Sequence, residues 1–282
     1  MSSAELDATG PEPHAELLEV AVQAVHAAGG ELLRRFADGV QHEVTSKSTP
    51  TDLVSEADIV AERTIRELLC KLRPDDGFLG EESGGEGEGD TGPSGLRWVV
   101  DPLDGTVNFL FGIPQWCVSV AVQDGEGSLV GAIYDPCRGE LFTAVRGTAP
   151  TLEGPGGDRR TLSSPLRDDL ATAMVATGLA YDALVRATQA EVLARLIPRV
   201  RDVRRFGSAA LDLAWTAAGR FDAYFERTVK PWDIAAGTLI CEGAGLELRE
   251  LPVREQEPWG ILVAAPALCA PLLELIDAGG GI

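Results

Sequence analysis

The segment Trp98-Val99-Val100-Asp101-Pro102-Leu103-Asp104-Gly105-Thr106 places two carboxylates, a turn and a hydroxyl directly after an apolar strand. Pro102 fixes its own φ and should stop the strand, so Asp101 and Asp104 can turn back toward one point. Carboxylates held so close repel each other unless a cation lies between them or one is protonated. Gly105 allows close approach of the backbone to a ligand, and a helix starting at Thr106 would offer N–H groups to phosphate. The segment predicts a metal and phosphate site.

The residue types elsewhere narrow the choice of cation. The three histidines all lie within the first 42 residues, and the five cysteines form no C-x-x-C pair, so neither histidine nor thiolate ligation has support. Oxygen ligands remain, and they favour Mg²⁺ or Mn²⁺ over Ca²⁺ in a hydrolytic site.

Length and composition predict a globular protein of one large or two smaller domains. The chain has 282 residues, of which 45% are hydrophobic, enough to bury a substantial core. The first twenty residues are acidic and no apolar run reaches membrane-spanning length, so we expect a cytoplasmic protein without a membrane partner.

The formal charge of −20 disfavours nucleic acid as a partner, because that binding normally relies on clustered Lys and Arg. An anionic substrate meets the same repulsion, which bound divalent cations would reverse locally. Acidity that serves only solubility explains the charge equally well.

The first half predicts a mobile tail over 1–13 followed by two helices, about 15–36 and Leu53–Leu72. On the second helix, Asp58 shares the apolar face while Glu62 and Arg66 are predicted to face outward. The carboxylate of Asp58 is therefore either exposed at the edge of the apolar stripe or buried toward a metal or a lysine.

A short strand, Gly77–Gly80, should follow and end in two adjacent glutamates. The glycine-rich stretch 83–95 predicts a flexible surface loop. Strands near 116–123, 129–134 and 140–145 are typical of an antiparallel meander and close a first α+β domain, 14–150, that carries the acidic motifs.

The second half, 151–282, predicts a three-layer α/β domain. Helices are predicted to alternate there with short strands. The predicted helices are 181–200, 208–218 and 233–244, and the predicted strands are 203–206, 222–226 and two near 246 and 261. Ser208 and Asp233 stand at helix starts, where an N-cap role explains each. Helix N-termini gathered at one site would instead help to bind an anion.

Four ordered motifs closely resemble the inositol monophosphatase family, and the resemblance covers roughly residues 15–280. It implies the layered αβαβα sandwich of the Mg²⁺-dependent, lithium-sensitive sugar phosphatases, and a homodimer. Two departures, the longer glycine-rich loop and Pro114-Gln115-Trp116, touch none of the implied ligands. The motifs are Lys47-Ser-Thr-Pro-Thr-Asp-Leu-Val-Ser-Glu-Ala-Asp58, Gly80-Glu81-Glu82, Asp101-Pro-Leu-Asp104-Gly-Thr106 and Trp232-Asp233-Ile-Ala-Ala-Gly.

The resemblance implies a metal centre with two or three Mg²⁺ ions, for which Mn²⁺ is a possible substitute. A first ion would be held by Glu81, Asp101 and the carbonyl of Leu103. A second ion would be held by Asp101, Asp104 and Asp233. A third, weaker ion would lie near Glu81.

The resemblance also implies catalytic and phosphate-binding roles. Thr106 and Asp58 would position and deprotonate the attacking water, with the catalytic Glu81 beside them. The N–H groups of Gly105 and Thr106 would hold phosphate oxygens. Water activated by one ion and a leaving oxygen neutralised by another require no covalent intermediate. Further candidate residues at this site are Lys47, Glu82 and Ser208.

Substrate binding is implied for Ala209 and Glu226, beside Asp104 and Asp233. Glu226 precedes Asp233 by seven residues, as in the branch that acts on inositol monophosphate, so this small phosphorylated polyol is the expected substrate. For Glu226 alone, a solvated acid at a strand end is the alternative, and for Ala209 a first-turn helix former.

Other functions remain open within and outside this enzyme class. Pocket residues rather than the metal motif separate the activities of relatives on histidinol phosphate, fructose 1,6-bisphosphate and phosphoadenosine phosphate. Of these three, histidinol phosphate is the runner-up substrate. A non-catalytic regulatory protein on the same scaffold is the alternative from a different class.

Overall fold

The structure is a computed structural model, and it describes residues 14–39, 44–46, 53–83, 91–165, 167–254 and 257–277. The predicted tail 1–13 and Lys47 lie outside these residues, as do residues 84–90 of the glycine-rich stretch. Among the helices of the described ranges, none has both the length and the apolar character needed to cross a bilayer.

The described residues form seven α-helices and fourteen strands. The helices are α1 (Ala15–Ala37), α2 (Glu56–Leu72), α3 (Thr106–Leu110), α4 (Ala183–Leu196), α5 (Ala209–Ala217), α6 (Pro231–Gly243) and α7 (Pro266–Asp277). The strands are β1 (Val44–Ser46), β2 (Leu53–Ser55), β3 (Gly77–Gly80), β4 (Arg97–Asp104), β5 (Cys117–Asp124), β6 (Gly127–Asp135), β7 (Glu140–Val145), β8 (Thr151–Glu153), β9 (Arg159–Thr161), β10 (Met174–Thr177), β11 (Asp202–Arg204), β12 (Ala223–Arg227), β13 (Glu247–Leu251) and β14 (Gly260–Ala264).

Two sheets organise the fold. The seven-stranded sheet has the order β3-β4-β5-β6-β7-β8-β9, and only its β3–β4 pair is parallel. Strands β5, β6 and β7 form the predicted antiparallel meander. The five-stranded sheet has the order β11-β10-β12-β14-β13, in which β10 pairs in parallel with both of its neighbours. Strands β8 and β9 follow residue 150 but pair in the first sheet, and the division into domains at that residue stays a prediction.

Helices and sheets alternate in five layers, as expected for an αβαβα sandwich. Helices α1 and α2 cover one face of the seven-stranded sheet, α5 and α6 lie between the two sheets, and α4 and α7 cover the outer face of the five-stranded sheet. Strand β4 shows how the side chains divide, because Trp98 and Val100 pack toward α1 and α2 while Val99 belongs to the core around α5 and α6.

Two local expectations are wrong in the first half. The second helix begins at Glu56 instead of Leu53, because Leu53–Ser55 pair with Val44–Ser46 as a short antiparallel strand. Pro102 does not end its strand. Between Asp101 and Asp104 the strand takes three steps while its partner β5 takes two, so a bulge absorbs the proline and bends the strand end.

In the second half, the alternation of helices and strands is confirmed with shifted boundaries. The predicted helix 181–200 is shorter, since α4 ends at Leu196 and a 3₁₀ turn, Ile197–Arg199, follows. Strand β10 and helix α7 are absent from the prediction. Strand β10 has only four residues, and α7 contains Pro271, a residue that normally marks the end of a helix.

Candidate active site

The hydroxyl of Thr106 lies against a buried carboxylate from a distant helix. Its Oγ1 is 2.8 Å from Oδ1 of Asp58 and 3.1 Å from the carbonyl oxygen of Leu103. Gly105 allows this placement, because its φ of 103° is left-handed and a Cβ there would lie 2.9 Å from the carbonyl oxygen of Gln115. Two residues 48 positions apart in the sequence are therefore in direct contact.

Asp58 is fully buried at the third residue of α2, on the face that the sequence predicts. Its Oδ2 accepts the backbone N–H of Ser55 at 2.8 Å and the Ser55 hydroxyl at 2.6 Å, so the carboxylate also completes a capping box. Exposure at the edge of the apolar stripe is therefore the wrong explanation for this acid. One oxygen caps the helix and the other faces Thr106.

The start of α5 fixes Asp104. Oδ2 accepts the Ser208 hydroxyl at 2.7 Å and the Ala210 N–H at 2.6 Å, and Oδ1 accepts the Ala209 N–H at 3.2 Å. Ser208 occupies the N-cap position, but the predicted capping by its side chain is wrong, because the hydroxyl is directed to Asp104. Burial raises the pKa of Asp104 to about 6, and these three hydrogen bonds act in the opposite direction.

Asp101 is buried among other carboxylates. It is 2% exposed, and its Oδ1 accepts the Leu103 N–H at 3.1 Å. Burial raises the pKa of Asp101 well above its usual range, and the charges of Glu81, Asp104 and Asp233 raise it further, as does a hydrogen bond with Glu81. A cation at this point would reverse the shift, because it would favour the charged carboxylates.

Asp233 is the third residue of α6, which begins at Pro231. Its Oδ2 accepts the N–H of Lys230 at 2.7 Å, the bond made by the acid of a capping box. The prediction that Asp233 is itself the N-cap is therefore wrong, since Lys230 occupies that position. Burial, followed by the charges of Glu81 and Asp104, raises the pKa of Asp233 well above its usual range.

Glu62 supports the turn that carries Glu81 and Glu82. Its Oε2 accepts the backbone N–H of Glu82 at 2.8 Å, and the residue is only 4% exposed. A Cβ on Gly80 would lie 2.3 Å from that same Oε2, so the glycine leaves room for the carboxylate. The prediction that Glu62 faces outward is wrong, whereas Arg66 is exposed as expected.

The family resemblance implies an ion at Glu81, next to Glu82. We therefore expect Glu62→Ala to raise the Mg²⁺ concentration needed for half-maximal activity by about tenfold, because a hydrogen bond that supports the surroundings of an ion affects its affinity. Glu62→Gln keeps an acceptor for the Glu82 N–H and should restore most of the affinity. The shift of the melting temperature with added Mg²⁺ measures binding independently of turnover. Glu67→Ala, at an exposed position on the same helix, is the control. Equal Mg²⁺ affinity in the wild type and the alanine variant would contradict this role.

Glu226 is placed near the end of β12. Its Oε2 accepts the Tyr224 hydroxyl at 2.8 Å. Burial raises the pKa of Glu226 to about 7, while the Tyr224 bond and the charge of Arg205 act to lower it. The carboxylate is thus held by a neutral donor and lies within electrostatic reach of a cation.

Asp212 is a buried acid that the sequence analysis does not assign. It is 1% exposed on α5, and within the described part of the chain neither of its oxygens has a hydrogen-bond partner. Burial raises its pKa well above the usual range, and the charges of Glu226 and Asp104 add to the effect. Its signal in the sequence is the one used for Asp58, a carboxylate within an apolar helix.

A raised pKa means that the folded state binds the Asp212 proton more tightly than the unfolded state does. Above the unfolded pKa, about 4, stability is therefore lost at up to about 1.4 kcal/mol per pH unit until the folded pKa is reached. We expect Asp212→Asn to be more stable than the wild type, by a margin that widens as pH rises above 5. Urea midpoints between pH 5 and 8 test this, with Asp168→Asn, at an exposed position, as control. A margin independent of pH would contradict the expectation.

Most of the residues predicted for the site line one cavity of about 660 Å³, a volume usual for small-molecule sites. Asp58 and Ser208 are buried behind it, in contact with Thr106 and Asp104. Glu82 does not line it either. Nine residues predicted for the site do line it, namely Glu81, Asp101, Leu103, Asp104, Gly105, Thr106, Ala209, Glu226 and Asp233.

Known proteins share both this sequence pattern and this fold. The sequence model of the inositol monophosphatase family matches residues 14–267. The chain belongs to that family. The inositol-1-monophosphatase of Rhizobium meliloti is 47% identical over 234 residues, which cover 81% of this chain and 83% of that protein. Membership of the inositol monophosphatase family makes the protein a phosphatase.

Two further similarities agree. The Nus factor SuhB of Pasteurella multocida is 41% identical over 231 residues, 81% of this chain and 83% of that protein. The crystal structure of the extragenic suppressor protein SuhB from Bartonella henselae superposes with a TM-score of 0.84 at 35% identity, over 94% of this chain and 100% of that chain. The inositol monophosphatase fold therefore extends over nearly the whole chain.

The donors that line the cavity suit the hard divalent cation expected of an inositol monophosphatase. They are carboxylate oxygens and a backbone carbonyl, the ligands that Mg²⁺ prefers. Burial, followed by the charges of neighbouring carboxylates, raises the pKa values of Asp101 and Asp233, and a bound cation would lower them again. As they stand, no three carboxylate, thiol or imidazole side chains in the described ranges are grouped closely enough to hold one ion. An ion held by Asp101, Asp104 and Asp233 together would therefore require these three carboxylates to come closer to one another.

Proposed function

We propose that the protein hydrolyses inositol monophosphate to inositol and phosphate with Mg²⁺ held in the cavity. The observation that carries the proposal is that Thr106, whose hydroxyl donates to buried Asp58, lines the same cavity as Glu81, Asp101 and Asp233. A positioned proton acceptor and a group of oxygen ligands are the two parts that a metal-dependent phosphatase needs.

The carboxylates would hold the ions in the arrangement that the family resemblance implies. Glu81, Asp101 and the Leu103 carbonyl would hold one ion, and Asp101, Asp104 and Asp233 would hold a second, with Asp101 as a ligand common to both. A third would bind weakly near Glu81, and Mn²⁺ would be a substitute. Bound there, such ions lower the pKa of a water and neutralise the phosphate oxygens.

Thr106 and Asp58 would take the proton of the attacking water. The 2.8 Å contact between Oγ1 and Oδ1 lets the hydroxyl accept from the water while it donates to the carboxylate. The N–H groups of Gly105 and Thr106, at the start of α3, would hold phosphate oxygens. Water is the nucleophile in this scheme, so positioning and charge stabilisation supply most of the rate.

The alcohol part of the substrate would lie toward α5 and β12. Ala209 and Glu226 line that side of the cavity, next to Asp104 and Asp233. The Glu226 carboxylate can accept hydrogen bonds from adjacent hydroxyls of a polyol, and the small Ala209 leaves space for the ring. This arrangement supports inositol monophosphate ahead of histidinol phosphate.

A phosphate-release panel tests the proposal. Inositol 1-phosphate should be hydrolysed in the presence of Mg²⁺, faster than histidinol phosphate, fructose 1,6-bisphosphate or phosphoadenosine phosphate. EDTA should abolish the activity, and Li⁺ should inhibit it. If Mg²⁺ stimulates phosphate release from none of the four esters, the proposal is rejected. A preference for histidinol phosphate would instead assign the protein the runner-up activity.

A regulatory role on the same scaffold is the second candidate, favoured by the Nus factor name of the Pasteurella relative. The acids that line the cavity favour catalysis, because a purely regulatory protein has no need of them. We also infer a homodimer from the family resemblance, and a cytoplasmic location from the composition of the chain. Light scattering of the purified protein tests the dimer.

A further inference from the structure

Gly178 lies beside the carboxylate of Glu226. It is buried and directly follows β10, which pairs in parallel with β12 so that Thr177 is opposite Phe225. The residues that follow on the two strands are Gly178 and Glu226, so these two are neighbours at the end of the strand pair.

A side chain at position 178 has no room while Glu226 keeps its position. A Cβ built on Gly178 would lie 1.8 Å from Oε2, 1.9 Å from Cδ and 2.1 Å from Oε1 of Glu226, far closer than the usual separation of non-bonded atoms. The φ of Gly178 is not left-handed, so the backbone itself would accept alanine. The carboxylate is the end of a flexible side chain, and in an alanine variant it would turn away while the fold remains.

Tyr224 holds the same carboxylate by a second contact. The tyrosine is fully buried, and its hydroxyl donates to Oε2 of Glu226 at 2.8 Å. The absence of a side chain at Gly178 and the hydrogen bond from Tyr224 therefore act together. Gly178 leaves the space and Tyr224 fixes the carboxylate in it, so Glu226 lines the cavity in one orientation.

We propose that Gly178 determines substrate specificity, because its missing side chain admits the Glu226 carboxylate to the position from which it binds polyol hydroxyls. The inference rests on the role of Glu226 in the proposed function. Gly178 is a positioning residue, since it abuts Glu226 and does not line the cavity. Any side chain there reduces the preference for polyol phosphates and leaves the phosphate end of the site in place.

The test compares Gly178→Ala with the wild type on two esters. Inositol 1-phosphate offers hydroxyls next to the phosphate, and phenyl phosphate offers none. We expect kcat/KM to fall about tenfold to a hundredfold for inositol 1-phosphate, mainly through KM, and to change less than about threefold for phenyl phosphate. Gly125→Ala is the matched control, because a Cβ there meets nothing within 4 Å. Equal losses on both esters, or no loss on either, would overturn the proposal.

A double-mutant cycle isolates the cause. In a Glu226→Ala background the clash is gone, so Gly178→Ala should change kcat/KM for inositol 1-phosphate less than about twofold. A full loss in that background would show that Gly178 acts by another route and would overturn the inference. If Glu226→Ala alone has no effect on inositol 1-phosphate, the proposed role of Glu226 fails and the inference with it. A large effect of Glu226→Ala beside a silent Gly178→Ala overturns the inference alone.

Discussion

Asp104→Asn should lower kcat for phosphate release by about a thousandfold or more, which corresponds to about 4 kcal/mol in the barrier. In the proposed function Asp104 supplies a negative charge both to an ion and to the substrate side of the cavity. Asparagine keeps the shape and removes that charge. The fold should persist, because an amide oxygen in the place of Oδ2 still accepts two of the three hydrogen bonds from the start of α5. Phosphate release at saturating Mg²⁺, with circular dichroism on the same samples, measures both.

Asp135→Asn is the matched control for this variant. Asp135 is also buried but lies on β6 with a 2.8 Å ion pair to Arg138. Its replacement should cost stability, because Arg138 loses its charged partner, while kcat stays within a few-fold of the wild type. Near-normal turnover of Asp104→Asn would remove this aspartate from the catalytic centre.

Thr106→Val should lower kcat by about a hundredfold to a thousandfold, the range expected when a positioned group for proton transfer is lost. Valine has nearly the shape of threonine, so the change removes only the hydroxyl, with its contacts to Asp58 and to the Leu103 carbonyl. The Mg²⁺ affinity should change far less than kcat, because the carboxylates proposed as ion ligands are unchanged and only the 3.1 Å contact of the hydroxyl with the Leu103 carbonyl is lost. Steady-state kinetics across a Mg²⁺ titration separates the two quantities.

Thr143→Val makes the same chemical change away from the cavity. The Thr143 hydroxyl is buried and bonded to that of Thr151 at 2.9 Å, so the control variant loses a comparable hydrogen bond. It should retain full kcat. If the two valine variants lose activity to a similar, small extent, Thr106 has only a structural role.

The sequence predicts the arrangement of the site best where the signal is local. Asp101 and Asp104 stand at a strand end and Asp58 interrupts an apolar face, and both patterns can be read within one element. Glu62 shows the limit of such patterns. It lies one turn after Asp58, and its burial depends on the Glu82 N–H, twenty residues further along the chain. A helical pattern contains no information about that partner.

Ser208 and Asp233 illustrate a second limit. Both residue types favour helix starts, and both do lie in the first turn or just before it. What the pattern cannot predict is which acceptor or donor a side chain finds. The Ser208 hydroxyl donates to Asp104 on β4 and does not cap its own helix. Asp233 accepts the backbone N–H of Lys230, three residues earlier. Tertiary placement decides the partner of Ser208, whereas Asp233 makes a local bond of the capping-box type.

Strand β10 escapes prediction for a related reason. Met174–Thr177 is too short to show a period, and its strand character comes from the parallel neighbours β11 and β12 that pair with it on both sides. Gly178, at its end, becomes informative only once Glu226 is seen beside it.

The hydrogen bonds from Ser208 and Ala210 to Asp104 tie the most recognisable motif of the chain to a helix a hundred residues later. A gene fragment that stops before Ser208 would still encode Asp-Pro-Leu-Asp-Gly-Thr, yet its second aspartate would lack the three hydrogen bonds that orient it. The motif marks where such an enzyme is encoded, but a truncated copy that carries it should be inert. Completeness of the downstream half is thus the feature to check before activity is assigned to any shortened homologue.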